Sequence, residues 1–149
     1  MALTLAAHTP VKIHLVTKIT HEDHTESFEL VLFGRHYRKG KGVYLKYDEV
    51  QEEGTINTIV KITEDDALIL RSGILKMRLN FKMKEELSGT HESPYGTFFL
   101  LTDTKKMIHE VEHDRCKGHF HLIYDLFIQG SKAGEYEMQI DYEEVKVNR

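Results

Sequence analysis

Strict alternation between apolar and polar residues is the feature that most limits how this chain can fold. It is clearest over residues 75–84, whose apolar members are Leu75, Met77, Leu79, Phe81 and Met83. An α-helix would distribute these side chains around its circumference, whereas a β-strand places them all on one face. The same alternation occurs within residues 28–32, 56–62, 120–128 and 136–142. The pattern therefore predicts β-structure with one buried face over most of the chain.

Short connectors that are polar or contain glycine separate these segments, at residues 21–24, 39–42, 64–66, 114–118 and 130–134. Their length and composition are typical of hairpin turns, and the long crossovers that parallel pairing requires are missing. A longer gap at residues 85–95, with Gly89 and Pro94, predicts a loop. About ten segments without a major helix predict an all-β, antiparallel meander. An up-and-down β-barrel of eight to ten strands would leave no free edge, and a two-sheet sandwich is the alternative.

The length of 149 residues predicts a single domain. Residues 1–10, which end at Pro10, show neither helical nor strand periodicity. This predicts an N-terminal tail, with residues 11–149 forming the barrel. The single cysteine, Cys116, and the lack of a secretory signal predict a cytoplasmic protein, and no apolar run is long enough for a membrane helix. The net charge of -4, without basic residues interleaved with exposed aromatic residues, argues against nucleic acid as a partner. The oligomeric state stays open.

Several short motifs resemble, in their linear order, those of the YwiB-like family of small bacterial proteins. The motifs extend from residue 11 to residue 143 and include Tyr37-(x6)-Tyr44-Leu45-x-Tyr47-x-Glu49, Tyr124-Asp125-Leu126 and Ile140-Asp141-Tyr142-Glu143. The most specific is Leu70-Arg71-Ser72-Gly73, followed by Lys76-Met77. The resemblance implies a calycin-like, lipocalin-type β-barrel in a bacterial cytoplasm. It implies no established activity, catalytic residue or cofactor.

A match to the H-E-x-x-H zinc motif occurs at His109, Glu110 and His113. In zinc proteases this motif lies on a helix, where two turns bring both histidines to one face and the glutamate serves as general base. Here the surrounding alternation predicts a strand at residues 109–113 and a turn at residues 114–118. Consecutive side chains of a strand point to opposite faces, so Glu110 would be separated from both histidines. We therefore expect no catalytic metal.

A weaker metal contact on the surface is a second interpretation of the same hairpin. A turn at residues 114–118 could place His113 opposite His119, with His121 on the same face two residues further along. Cross-strand neighbours lie about 5 Å apart, which suits metal chelation. The favoured alternative is that these histidines are outward-facing polar residues behind the apolar face formed by Phe120 and Leu122.

Arginine and tyrosine residues form the candidate ligand site. Tyr124, Tyr136 and Tyr142 fall on predicted inner faces, and Arg71 shares a face with Ile69. An arginine inside a barrel or at its mouth needs an anionic partner, which could be Glu49, Asp125 or a bound anion. The candidate ligand-binding residues are Arg71, Tyr44, Tyr47, Glu49, Tyr124, Tyr136 and Tyr142.

Two functions remain open. In the favoured hypothesis the protein is a small cytosolic barrel that binds a small, partly apolar or anionic ligand. In the alternative, the barrel has a filled core and binds a protein partner through an outer sheet face. Catalysis is less favoured because no nucleophile with its base is recognisable, and no cofactor is expected. A cavity of roughly 300 Å³ or more, lined by the candidate residues, would favour ligand binding.

Overall fold

Ten β-strands make up almost all of residues 8–146, which are the residues that the computed structural model describes. In chain order they are β1 (Thr9–His21), β2 (His24–Lys39), β3 (Gly42–Gln51), β4 (Gly54–Ile62), β5 (Asp66–Gly73), β6 (Lys76–Lys82), β7 (Glu86–Ser93), β8 (Gly96–Glu112), β9 (Lys117–Ile128) and β10 (Ser131–Glu144). Each strand pairs antiparallel with the next, and β1 pairs with β10 to close the barrel. The predicted all-β meander and its closure are confirmed, and the sandwich alternative is wrong.

The inner face of the barrel follows the alternation of the sequence. Ile13 of β1 lies opposite Leu32 of β2 and Tyr142 of β10, and residues opposite one another on neighbouring strands share a face. The fully buried aliphatic and aromatic side chains come from strands all around the barrel: Val11, Ile13, Leu45, Val60, Phe81, Phe120, Leu122 and Ile140. Burial of these apolar faces is the main source of the barrel's stability.

The predicted loop at residues 85–95 is wrong, because it contains β7. This strand escapes notice because Leu87 is its only large apolar side chain. At Gly89 the backbone comes so close to β6 that a Cβ would overlap the carbonyl oxygen of Arg78. The next strand, β8, extends without interruption from Gly96 to Glu112, with a β-bulge between Thr104 and Lys106. The prediction of about ten strands is confirmed.

Two predicted boundaries need small corrections, the start of the first strand and the end of the strand at residues 109–113. β1 begins at Thr9 and includes Pro10, so it takes up the last two residues of the predicted tail, whereas residues 1–7 lie outside the described residues. The predicted strand at residues 109–113 ends at Glu112, and a 3₁₀ turn, His113–Arg115, follows it. Cys116 completes the turn with a positive φ of 49°. β9 then starts at Lys117, so the turn is shorter than predicted.

A gap in the barrel wall separates one half of β2 from β3. β2 pairs with β1 from His24 to His36, but it pairs with β3 only from Arg35, opposite Lys46, to Lys39, opposite Gly42. Residues 47–51 of β3 pair with β4 on their other side. Residues 24–34 and 47–51 therefore border a lateral opening at the barrel end that carries the β1–β2 and β3–β4 turns. Among residues 8–146 there is no helix that could span a membrane.

Candidate functional site

An open cavity of about 680 Å³ occupies the half of the barrel beside the gap between β2 and β3. Much of its wall is apolar, with contributions from Leu15, Ile69, Met77, Leu79, Leu126 and Met138. Phe28 and Leu30 of β2 line its mouth and remain substantially exposed. The other half of the barrel is filled by the buried core. The volume exceeds the roughly 300 Å³ that distinguishes a ligand pocket from a packed interior.

A row of side chains across four neighbouring strands forms the polar wall of this cavity. Tyr47 of β3 lies opposite Thr58 of β4, Thr58 lies opposite Arg71 of β5, and Arg71 lies opposite Met77 of β6. Residues opposite one another share a face, so all four point inward. Glu49 stands two residues after Tyr47 and faces the same way. Residues distant in sequence thus converge because the strands pair in this register.

Arg71 forms a half-buried ion pair with Glu49 in the cavity. Its Nη2 lies 3.3 Å from Glu49 Oε1 and 3.4 Å from Oε2, and the two side chains are 26% and 16% exposed. A guanidinium has five N–H donors, and within residues 8–146 only Nη2 has a hydrogen-bond acceptor in the structure. Nε and Nη1 therefore remain available for an acceptor that enters the cavity. Glu49 is one of the three partners that the sequence left open for Arg71.

The inner tyrosines supply neutral hydroxyl groups. Burial raises the pKa of Tyr47 to about 12, and the carboxylate of Glu49 acts in the same direction, while Arg71 and the Thr58 hydroxyl act against it. Burial is also the main cause of the raised pKa of Tyr124, followed by the neighbouring Tyr136. These two rings stack across β9 and β10 with their centroids 5.2 Å apart. At neutral pH all three hydroxyls are protonated and can both donate and accept hydrogen bonds.

Two of the candidate ligand-binding residues do not lie at the cavity. Tyr44 is on the outer face, where its ring stacks on Tyr37 at 4.7 Å between centroids. Counting by two from Tyr47 would have excluded it. Tyr142 does face inward, but at the opposite end of the barrel, where its hydroxyl lies 2.9 Å from Nε2 of His109. The structure thus brings together Arg71, Tyr47, Glu49, Tyr124 and Tyr136.

Asp125, the other predicted partner of Arg71, is on the outer side of the barrel. Its carboxylate lies 3.1 Å from the Lys105 ammonium and 3.4 Å from that of Lys132. The bulge between Thr104 and Lys106 accompanies this contact, because it shifts the register of β8 against β9 beside Asp125. The carboxylate therefore stabilises the outer surface and has no part in the cavity.

The H-E-x-x-H segment lies on the end of β8 and on the following turn, not on the helix that carries this motif in zinc proteases. His109 faces the interior, whereas Glu110 lies opposite His119 on the outside, as the strand prediction required. The proposed pairing of His113 with His119 is wrong, because β8 ends before residue 113 and the register places Glu110 opposite His119. The His113 side chain is not among the described ones.

The remaining histidines of this hairpin pair with carboxylates of β10. His119 Nδ1 lies 2.6 Å from Asp141 Oδ1, and His121 Nε2 lies 2.6 Å from Glu137 Oε2. Within the described part of the chain, histidine, cysteine, aspartate and glutamate residues form no group of three with metal-binding geometry. The outer position of His119 and His121 agrees with their interpretation as outward-facing polar residues.

Most of the cavity wall was not among the candidate ligand-binding residues, including Thr58, Met77, Phe28 and Leu30. Alternation assigns all of them to inner faces, which is correct. It does not show at which end of the barrel an inner residue lies, because that depends on the strand register. The polar row could have been found by aligning β3, β4 and β5 through their short turns.

Comparison with known proteins agrees with this architecture. The model of a family described as a domain of unknown function, DUF1934, matches residues 13–140. The "uncharacterized beta-barrel protein YwiB" of Bacillus subtilis (strain 168) is 30% identical over 135 residues, which cover 91% of this chain and 94% of that protein. The crystal structure of the ywiB protein from Bacillus subtilis superposes with a TM-score of 0.83 at 29% identity and covers 93% of this chain and 94% of that one. The resemblance noted from the sequence motifs is confirmed.

Proposed function

The chain belongs to the DUF1934 family of β-barrels, and on that premise we propose that it is a cytosolic binding protein for a small, partly apolar ligand with an anionic group. Cavities of roughly 300 to 1,000 Å³ with a mostly apolar wall and a few converging polar groups are typical of small-molecule sites. The cavity of about 680 Å³ falls within this range. It also favours ligand binding over the alternative of a barrel with a filled core.

Arg71 is the observation that carries the proposal. Its guanidinium lies inside the cavity, is largely shielded from water, and uses only one of its nitrogens to bind Glu49. A carboxylate or similar anion would accept hydrogen bonds from Nε and Nη1, and such charge-assisted bonds are stronger than neutral ones. Tyr47 and Tyr124 would add hydroxyl donors to the same group. The apolar part of the ligand would contact Leu79, Leu126 and Met138.

Native mass spectrometry of the freshly purified protein is the first experiment, since it detects a small molecule that remains bound. Calorimetric titration with decanoate and with 1-decanol then separates the contribution of charge from that of the apolar chain. A charge-assisted hydrogen bond contributes about 1.5 to 3 kcal/mol, so decanoate should bind at least about tenfold more tightly than decanol.

Two variants make this experiment specific. Arg71→Met should remove the preference for decanoate while leaving decanol binding nearly unchanged. Arg78→Met is the matched control, because Arg78 is an exposed arginine on the outer face of β6 and should keep the preference. Equal affinity for decanoate and decanol in the unmodified protein, or the same loss of preference in both variants, would show that Arg71 does not bind the anionic group.

A further inference from the structure

One edge of β2, beside the mouth of the cavity, has no partner strand. Residues 24–34 pair with β1 on one side, and their pairing with β3 begins only at Arg35. The backbone N–H and C=O groups on that side are thus available to another strand. Exposed edges of this kind are normally protected by lysine, proline or a β-bulge. The segment contains no lysine or proline, and its pairing with β1 is regular throughout.

Both faces of this edge carry exposed apolar side chains. Phe28 and Leu30, on the inner face, are 54% and 40% exposed, while Val31 and Phe33, on the outer face, are 57% and 69% exposed. A long, exposed apolar edge that lacks a partner strand is expected to bind a further strand. Strand addition combines main-chain hydrogen bonds with contacts of alternate side chains.

The charge around the gap indicates which strand fits. Residues 21–34 and 47–53, on the two sides of the opening, contain no lysine or arginine. Their acidic residues are Glu22, Asp23, Glu26, Glu29, Asp48, Glu52 and Glu53, in addition to Glu49, which pairs with Arg71. Within residues 8–146, only histidines lie at ion-pairing distance from Glu26 and Glu29. Pairing β2 with β2 of a second copy would bring like charges together, and like charges directly opposite one another destabilise a sheet. A partner strand with basic residues instead complements both borders of the gap.

We propose that the β2 edge binds an extended polypeptide segment of another protein in which apolar residues alternate with lysine or arginine. The segment pairs antiparallel with residues 24–34. Its apolar side chains lie on the inner face beside Phe28 and Leu30, and its basic side chains lie on the outer face near Glu29 and Asp48. This interaction does not require a ligand in the cavity, so it stands independently of the proposed function.

Fluorescence anisotropy with a labelled, capped nonapeptide of alternating valine and lysine tests the proposal. A peptide with glutamate in place of lysine, and one with proline at the central valine, serve as controls and should both bind at least about tenfold more weakly. Raising the salt concentration from 50 to 500 mM should weaken binding several-fold, because exposed charges are screened. Amide hydrogen exchange should slow within residues 24–34 when the peptide binds.

Matched variants locate the site. Glu29→Gln should weaken binding several-fold, and Val31→Lys should weaken it at least tenfold. Glu92→Gln and Phe99→Lys are the controls, since both residues are exposed on β7 and β8 and should leave binding unchanged. Circular dichroism establishes that each variant is folded. The proposal is overturned if the glutamate peptide binds equally well, if the slowed amides lie outside β2 and β3, or if these amides are already protected in a dimer without peptide.

Discussion

The division of the barrel into a packed half and an open half predicts very different costs for two leucine-to-alanine substitutions. Leu122 of β9 is fully buried between Met107 and Met138. Leu30 of β2 lines the cavity mouth and is 40% exposed. Both substitutions remove the same atoms from inner faces of the barrel. They differ in whether the site is sealed from water.

Leu122→Ala should lower the free energy of unfolding by about 3 kcal/mol or more, because the lost transfer energy is increased by the cavity that remains in a packed core. Leu30→Ala should lower it by only about 1 kcal/mol. Part of that side chain is in water already, and the space it leaves merges with an open cavity. For a chain of this size, 1 kcal/mol corresponds to about 2–4 °C in Tm. The expected decrease in Tm is therefore about 10 °C for the first variant and about 3 °C for the second.

Urea unfolding followed by circular dichroism measures both costs, and the m-value must stay unchanged for the comparison to hold. Equal costs within about 0.5 kcal/mol would refute the division into two halves. Such a result would mean that Leu30 is packed in solution as tightly as Leu122, and the filled-core interpretation would then be favoured over a ligand cavity.

Three further predictions concern single groups. Gly118→Ala should lower the free energy of unfolding by about 1–3 kcal/mol in the same urea assay, because the added Cβ would overlap the buried Tyr142 ring. Burial lowers the pKa of His36 from 6.5, so stability should fall as the pH drops below about 6.5, where the unfolded chain takes up a proton more readily. In the variant His36→Gln the urea midpoint should change less between pH 7.5 and pH 5. The raised pKa of Tyr47, about 12, means that stability should fall as the pH rises above 10, and Tyr47→Phe should reduce that loss in alkaline unfolding curves.

The fold could be predicted because most strands have one buried and one exposed face. Alternation reports that asymmetry directly, and hairpin-length turns leave only antiparallel neighbours. β7 is the exception, because its residues do not alternate between apolar and polar. It packs through Gly89 and short polar residues, so its contact with β6 depends on close backbone approach, which no hydrophobic pattern records. The bulge near Thr104 likewise depends on the register of two paired strands.

The candidate site was predicted in part, for a related reason. The face of Arg71, Tyr124 and Tyr136 follows from counting by two, and Glu49 follows from the need of a buried arginine for an anion. The position of Tyr142 at the other barrel end could not be obtained in this way, since depth along the barrel axis depends on how far each strand is shifted against its neighbours. Tyr44 alternates with the inward-facing Leu45 and therefore lies on the outer face, which counting by two along β3 shows.

The gap between β2 and β3 connects the two proposals physically. In a fully closed sheet every strand has two partners, so residues 24–34, which have no partner on the β3 side, lose main-chain hydrogen bonds there and expose Phe28 and Phe33 to water. The packed half of the barrel can compensate for this cost, since its fully buried side chains are independent of the opening. An unpaired edge thus gives access to the cavity and at the same time offers a surface for strand addition. A peptide bound there would cover the cavity mouth, so decanoate should dissociate more slowly from the protein when the edge is occupied.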